Sequence, residues 1–349
     1  MRIEDLDKNF KQKTKVTETD VFYRDAKCGE FEIFGLANCE EYTRIKECYT
    51  KNFSEGVKSL AKCTAGGRIR FKTNSPYIVL KGVVSPYEAP LNMTRITRCG
   101  FSIYDRNVFK RSLAPEISGN CEFENIYYFR DNNEHDVTIY LPLYGGVEKI
   151  YIGLKNDAYI KKSDPYGKKI MHYGSSITQG GCASRPGNSY PSIISRKLNT
   201  DYVNLGFSGN AKGEKEVAEY IASLDFDIFV YDYDHNAPDV KDLEKTHKPF
   251  FDIIRKSHKD VPVVFVTRPD VKSNPEASKN NRDVIYKTYE TALCGGDKNV
   301  YFIDGKTLWG EEGYSECTVD GCHPADLGMY RMANVIGGVI EEIINGENK

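Results

Sequence analysis

Lys169-Ile170-Met171-His172-Tyr173 running into Gly174-Ser175-Ser176-Ile177-Thr178 is the stretch that decides the fold. A short, largely apolar run stops at a glycine and gives way to small hydroxyl side chains. That is the composition of a strand ending in a tight turn. Forward from it, helices and strands alternate. Tyr190 to Leu198 reads as a helix, Tyr202 to Leu205 as a strand, and Glu214 to Ser223 as a helix. Asp227 to Tyr231 reads as a buried strand, Lys241 to Ser257 as a helix, and Val261 to Val266 as a strand. Asn280 to Cys294, Val300 to Ile303 and Leu327 to Ile344 continue as helix, strand and closing helix. This order predicts an α/β fold of three layers, a parallel sheet with helices on both faces. Ligands of such sheets sit at the carboxyl ends of the strands.

Backward from Lys169 the period changes. Arg68 to Lys72 alternates apolar and polar, as does Phe101 to Tyr104, and Tyr77 to Leu80 is a second run closed by Lys81-Gly82. Val137 to Leu141 and Val147 to Ile152 flank Tyr144-Gly145-Gly146, which reads as a hairpin turn. Many short strands predict an all-β sandwich of jelly-roll type, interrupted by one helix from Thr50 to Lys62. The polar stretch Lys161 to Lys168, with Pro165 and Gly167, reads as the junction. The expected division is residues 1–165 and 166–349.

Composition narrows the class. Forty-eight basic residues against 50 acidic leave a net charge of −2, so nothing argues for nucleic acid or an anionic membrane as partner. No run approaches the length of a membrane span, and the first ten residues lack the apolar core of a leader. A cytoplasmic protein with free thiols is the expectation for its ten cysteines, none of them in a Cys-x-x-Cys pair. The 24 tyrosines suit sandwich faces first and sugar stacking second.

The strand ends carry the chemistry. After the first comes Gly174 to Thr178, after the second Gly206-Phe207-Ser208-Gly209-Asn210, and after the third Asp232-Tyr233-Asp234-His235-Asn236. Asp320-Gly321-Cys322-His323-Pro324 precedes the last helix. A serine hydroxyl is neutral near pH 7 and needs a base, which His323 supplies if a carboxylate holds its other ring nitrogen. The gap from Asp320 to His323 lets one loop deliver both. An oxyanion hole needs donors, and the Ser176 N–H, the Gly209 N–H and the Asn236 amide are the candidates. Taken singly, each residue has a plainer reading: Ser176 and Asp320 as caps, Gly209 as a turn, Asn236 as a loop residue. Together and in order they favour a catalytic set.

In these blocks the sequence resembles the SGNH (GDSL-like) hydrolases. Ser176 falls in the nucleophile place, Gly209 and Asn236 in the second and third blocks, and Asp320 with His323 in the last. Ser175 stands where the family has Asp, a residue thought to brace the loop, and Asp234 to Ala237 replaces Gly-x-Asn-Asp. The resemblance spans residues 169 to 345. The preceding β-region resembles the sandwich of two-domain bacterial members.

The resemblance implies a serine esterase with the triad Ser176, Asp320, His323 and the oxyanion donors Ser176, Gly209 and Asn236. It implies no cofactor and no metal. The leading substrate is a short acyl group, O-acetyl on a carbohydrate. A thioesterase or lysophospholipase with the same triad, or a non-catalytic glycan-binding protein, are the alternatives. A small-molecule or oligosaccharide ester is the expected partner, and a homo-oligomer is left open. His172 reads as a packed strand histidine, and His235 as pocket lining or plain loop. Arg185 and Arg268 are candidates for a polar substrate, with a salt bridge as the default. Cys317, Cys322 and His323 are too few ligands for a metal. Cys182 and Cys322 flank the site as thiols, with a disulfide or redox switch as the rarer reading.

Overall fold

The computed structural model describes residues 3–7, 16–85, 91–115, 122–129, 131 and 133–346. Much of the N-terminal stretch read above as leader-free, and Cys121, lie outside these.

The first half builds two antiparallel sheets. One has the order β1 (Val21–Asp25), β9 (Gly146–Lys155), β4 (Tyr77–Ser85), β7 (Glu122–Tyr128). The other has the order β2 (Glu32–Phe34), β3 (Arg68–Thr73), β8 (His135–Tyr140), β5 (Phe101–Asp105), β6 (Val108–Leu113). Alternate residues of both sheets, among them Ile69, Phe71, Leu80, Ile103, Ile139 and Ile152, share one buried core. Burying each such side chain contributes about 1.5–3 kcal/mol.

Three local expectations need correction. The segment around Tyr144 is not a hairpin. β8 and β9 belong to different sheets, so Leu141 to Gly145 carries the chain from one to the other. Its backbone is held from outside: Thr64 Oγ1 donates to Pro142 O at 2.7 Å, and the Gly145 N–H donates to Arg98 O at 2.6 Å. Gly82 does not close its strand, because β4 runs on to Ser85. A Cβ on Gly82 would lie 2.2 Å from Lys149 O of β9, so the glycine serves close strand approach. The expected helix from Thr50 to Lys62 is a 3-10 turn, Glu47–Asn52, then an α-helix, Glu55–Ala61. Its Val57 and Leu60 pack with Leu205 and Phe207 of the second half, not inside the sandwich.

The second half is the expected α/β unit. Its parallel sheet has the order β11 (Asp201–Gly206), β10 (Lys169–Gly174), β12 (Ile228–Asp232), β13 (Val263–Val266), β14 (Val300–Ile303). Ile170, Val230 and Val264 face helices Tyr190–Leu198 and Asp326–Asn345. Met171, Phe229 and Phe265 face helices Lys215–Ala222, Val240–Ser257 and Pro275–Cys294. This period of two, buried on both faces, is why the strands read as near-continuous apolar runs. His172 is the packed histidine expected: it is fully buried between Tyr190 and Tyr202, and burial pushes it down to about 3.

β10 is an interior strand, second from one edge, and its neighbours β11 and β12 lie on opposite sides of it. The strand order therefore reverses at β10, and the crevice of such a sheet opens beyond that strand's carboxyl end. Gly174 is level with Gly206 on one side and Asp232 on the other, so the three loops start at one height.

Two buried arginines join the halves. Arg44 donates to Asn204 O at 3.0 Å, to Gly206 O at 2.6 Å and to Leu60 O at 2.5 Å. Arg68 pairs with Asp201 and donates to Tyr202 O at 3.2 Å. Among the described residues no helix is long and apolar enough to cross a membrane.

Candidate active site

The turn after β10 is shaped by its small residues. A Cβ on Gly174 would lie 2.0 Å from Thr178 Oγ1 and 2.2 Å from Asp232 O, so only glycine fits there. Ser175 caps the one-turn helix Ser176–Gln179, its Oγ accepting the Ile177 N–H at 3.2 Å. A hydroxyl thus does the capping where the family has a carboxylate. Ser176 is the first residue of that turn, so its N–H has no acceptor within the helix and points out of its positive end.

Ser176 Oγ lies 3.0 Å from His323 Nε2. The other ring nitrogen, Nδ1, lies 2.8 Å from Asp320 Oδ2. Asp320 Oδ1 accepts the His323 N–H at 2.7 Å and the Cys322 N–H at 3.0 Å. One carboxylate therefore folds its loop with one oxygen and orients the imidazole with the other. Burial pushes the Asp320 carboxyl up, but the His323 N–H, the His323 ring and the Cys322 N–H outweigh it and hold it below its usual range. A fourth contact comes from the sandwich half: Asn92 Nδ2 donates to Asp320 Oδ2 at 2.8 Å. No sequence signal marked Asn92.

The loop after β11 is tied to the serine turn. The Ser208 N–H donates to Gln179 Oε1 at 3.0 Å, while Gln179 Nε2 donates to Leu143 O at 3.0 Å. Gly209 has φ +68°, a left-handed conformation that favours glycine. Asn236 closes the 3-10 turn Asp234–Asn236, and its Nδ2 donates to Phe207 O at 2.9 Å. An amide has two N–H bonds, so one remains for another acceptor. The blocks containing Ser176, Gly209 and Asn236 are thus bonded to one another, with the first paired to His323.

Beneath lies a buried acid. Asp232 Oδ2 accepts from Thr178 Oγ1 at 3.1 Å and Tyr190 OH at 3.0 Å. Burial, with the Asp234 charge added, pushes its carboxyl up to about 7. It braces the serine turn from below, a support not read from the sequence.

Both candidate arginines are engaged. Arg268 grips Asp270 through two bonds of 2.7 Å, and Arg185 lies over the Phe109 ring of β6 at 3.9 Å. Arg268 and Asp270 belong to a cluster with His235 and Cys322 that the sequence reading did not assemble. Cys182 and Cys322 are both free thiols. Cys317 is buried beneath the last helix against Trp309 O and Gly313 O, apart from any ligand set with Cys322 and His323.

A comparison with curated proteins finds no match. Residues 167–341 match the GDSL-like lipase/acylhydrolase family, and residues 21–160 match the N-terminus of SGNH-hydrolase-type esterases. A GDSL-like lipase candidate of Bacteroides ovatus ATCC 8483 is 33% identical, with 93% of this chain and 98% of that one covered at TM-score 0.82. The salicylyl-acyltransferase SsfX3 of a tetracycline biosynthetic pathway shares the fold at 18% identity and TM-score 0.77, covering 94% and 98%. The acetyl xylan esterase Est2A of Butyrivibrio proteoclasticus does so at 14% identity and TM-score 0.60, covering 93% and 99%. With both halves matched, the chain belongs to the GDSL-like lipase/acylhydrolase family of SGNH-type carboxylic ester hydrolases.

Proposed function

We propose that this ester hydrolase removes short acyl groups, O-acetyl on carbohydrate above others, using Ser176 as nucleophile, His323 as base and Asp320 as its orienting acid. The observation that carries the catalytic roles is the unbroken chain from Ser176 Oγ to His323 at 3.0 Å and from His323 to Asp320 at 2.8 Å. Ser176 Oγ attacks the ester carbonyl carbon and its proton passes to Nε2. Asp320 stabilises the imidazolium, which returns the proton to the leaving alkoxide. Water then adds to the acyl-enzyme carbonyl and gives a proton to His323, which returns it to Ser176 Oγ as the acyl C–Oγ bond breaks and the carboxylic acid leaves. The Ser176 N–H, the Gly209 N–H and the free Asn236 N–H take the oxyanion.

The substrate reading rests on what surrounds the site. A groove of about 580 Å³ begins at Ala237, next to Asn236, and is lined by Asp239, Arg268, Asn274, Glu276, Asn280 and Asn281. These amides and carboxylates suit hydroxyl groups, with Pro238, Val240, Pro275 and Ala277 beside them, and no triad residue lines the groove itself. A larger cavity, about 720 Å³, is lined by Glu41, Glu55, Lys58 and Glu148 and likewise contains no triad residue; the smaller groove is preferred because it begins next to Asn236. That one structural relative is an acetyl xylan esterase agrees with this reading.

The test is kcat/KM across nitrophenyl esters of graded chain length, with acetylated oligosaccharides alongside. Each buried CH₂ is worth about 0.8 kcal/mol, so a lipid site would give a steep rise with length. Acetyl should be preferred, with butyryl lower and octanoyl very low. A maximum at the long esters would favour a lysophospholipase or thioesterase. Absence of turnover on every ester would favour a glycan-binding protein.

A further inference from the structure

Apart from the triad, a thiol, an imidazole and a carboxylate stand in the same order, the last two in ion-pair contact. Cys322 Sγ is 3.8 Å from His235 Nδ1, and His235 Nε2 is 3.3 Å from Asp270 Oδ1. Arg268 fixes Asp270 through two bonds of 2.7 Å. The His235 side chain is 6% exposed and the Asp270 side chain is enclosed, whereas Cys322 keeps part of its surface open. A thiol at the solvent edge is backed by an imidazole, and the imidazole by a carboxylate. Arg268 also lines the proposed substrate groove, whereas the side chains of Cys322, His235 and Asp270 have no part in the ester hydrolysis described above.

We propose that Cys322 is a second nucleophile, a modification site for soft carbon electrophiles, activated by His235 and Asp270 and carried by the residue next to His323. The thiol proton passes to His235 Nδ1, leaving a thiolate against an imidazolium whose other nitrogen faces Asp270. Thiolate, imidazolium, Asp270 and Arg268 together sum to zero charge, so the ion pair needs no further counterion. Asp234, whose Oδ2 accepts the Arg268 N–H at 3.2 Å, also faces His235. Burial alone would push His235 down, but Asp270 and Cys322 outweigh it and carry it up to about 10. With an alkyl halide, the sulfur electron pair forms the S–C bond, the carbon–halogen bond breaks, halide leaves, and the proton stays on His235.

A metal centre is the other reading of this cluster, since one donor atom from each of His235, Asp270 and Cys322 lies within 4.8 Å of the others. Both Asp270 oxygens, however, are already held by the Arg268 guanidinium. A cation bound there would sit against that fixed positive charge. Cys182 is a built-in contrast: burial first, then the charges of Asp320 and Cys322, push its thiol up to about 12.

The test is iodoacetamide labelling at about pH 6.5, where an ordinary thiol of pKa about 8.5 is only about 1% thiolate. Each cysteine is quantified by peptide mass. The exposed Cys28, Cys48 and Cys294 serve as references within the same molecule. Cys322 should label at least about tenfold faster than these despite its lower exposure. His235→Gln should remove the excess and Asp270→Asn should reduce it, while Ser176→Ala should leave it unchanged, which separates this result from the esterase reading. A Cys322 rate at or below the references overturns the proposal and needs no variant to be folded. So does an excess that survives His235→Gln, or protection of Cys322 by zinc chloride alone.

Discussion

Asn92 Nδ2 donates to Asp320 Oδ2 at 2.8 Å across 228 positions of sequence, so the sandwich half supplies a hydrogen bond to the carboxylate that orients His323. This bond is near the surface, so its worth is at the low end for a charged acceptor, about 1 kcal/mol. Asn92→Ala should lower kcat on nitrophenyl acetate about fivefold, with KM unchanged. Asn92→Asp should do worse, by placing like charge against Asp320. Steady-state kinetics of the two variants check this, and an unchanged kcat in Asn92→Ala would remove Asn92 from the positioning of the site.

Asn236 has a separable role. Its side-chain bond to Phe207 O is a modest contribution to the fold. Loss of an oxyanion donor costs about 3 kcal/mol in the barrier, or about 100-fold in rate. Asn236→Ala should therefore lower kcat by about two orders of magnitude and shift Tm little. Kinetics and a thermal melt on the same preparation decide it. A large Tm loss with kcat retained would make Asn236 a loop residue only.

Arg44 should matter for stability. It is fully buried and satisfies three carbonyl oxygens, two of them on β11 at the start of the Gly209 loop. Arg44→Ala would leave those acceptors unpaired as well as a void, a cost of about 3–5 kcal/mol. Urea unfolding should show the loss. A change under about 1 kcal/mol would mean the junction closes by other contacts.

Acid should weaken the fold through two buried histidines. His172 and His247 are each pushed down to about 3 by burial, from an ordinary 6.5. Their folded values lie below the unfolded one, so the stability they contribute is complete above 6.5 and is lost as pH falls from there toward 3. Asp232, pushed up to about 7, has the opposite sign: its contribution is complete below an ordinary carboxyl value and is lost as pH rises toward 7. Asp234, also pushed up by burial, has the same sign as Asp232, so the histidine contribution is read from substitution and not from the net curve. Each histidine contributes at most about 1.4 kcal/mol per pH unit. Urea unfolding of wild type and His172→Leu between about pH 6.5 and 4.5 should show a shallower slope in the variant. Parallel slopes would contradict the assignment.

The pattern of what the sequence disclosed has a physical cause. The central sandwich strands β3, β4, β5, β8 and β9 were legible because both neighbours and the core constrain them. The four strands not recognised, β1, β2, β6 and β7, are the sheet edges. Edges face water on one side and carry charge, as Lys110 and Arg111 of β6 and Glu122 and Glu124 of β7 do, so alternation fades there. The false hairpin at Tyr144 arose because alternation shows that a segment is a strand but not which sheet it joins. Ser176, Gly209, Asn236, Asp320 and His323 stood out because each lies in a short loop at a strand end or before the last helix. Asn92, Asp232 and the His235 cluster did not, because their partners are fixed only by the packing of distant segments.

The most direct test of the central claim is kcat on nitrophenyl acetate for wild type and Ser176→Ala, with folding of both checked by circular dichroism. Turnover is expected in the wild type and a fall of at least about 10⁴-fold in the variant, because the acyl-enzyme cannot form without the Ser176 hydroxyl. A folded Ser176→Ala protein hydrolysing the ester within about tenfold of wild type would show that Ser176, for all its proximity to His323, is not the nucleophile.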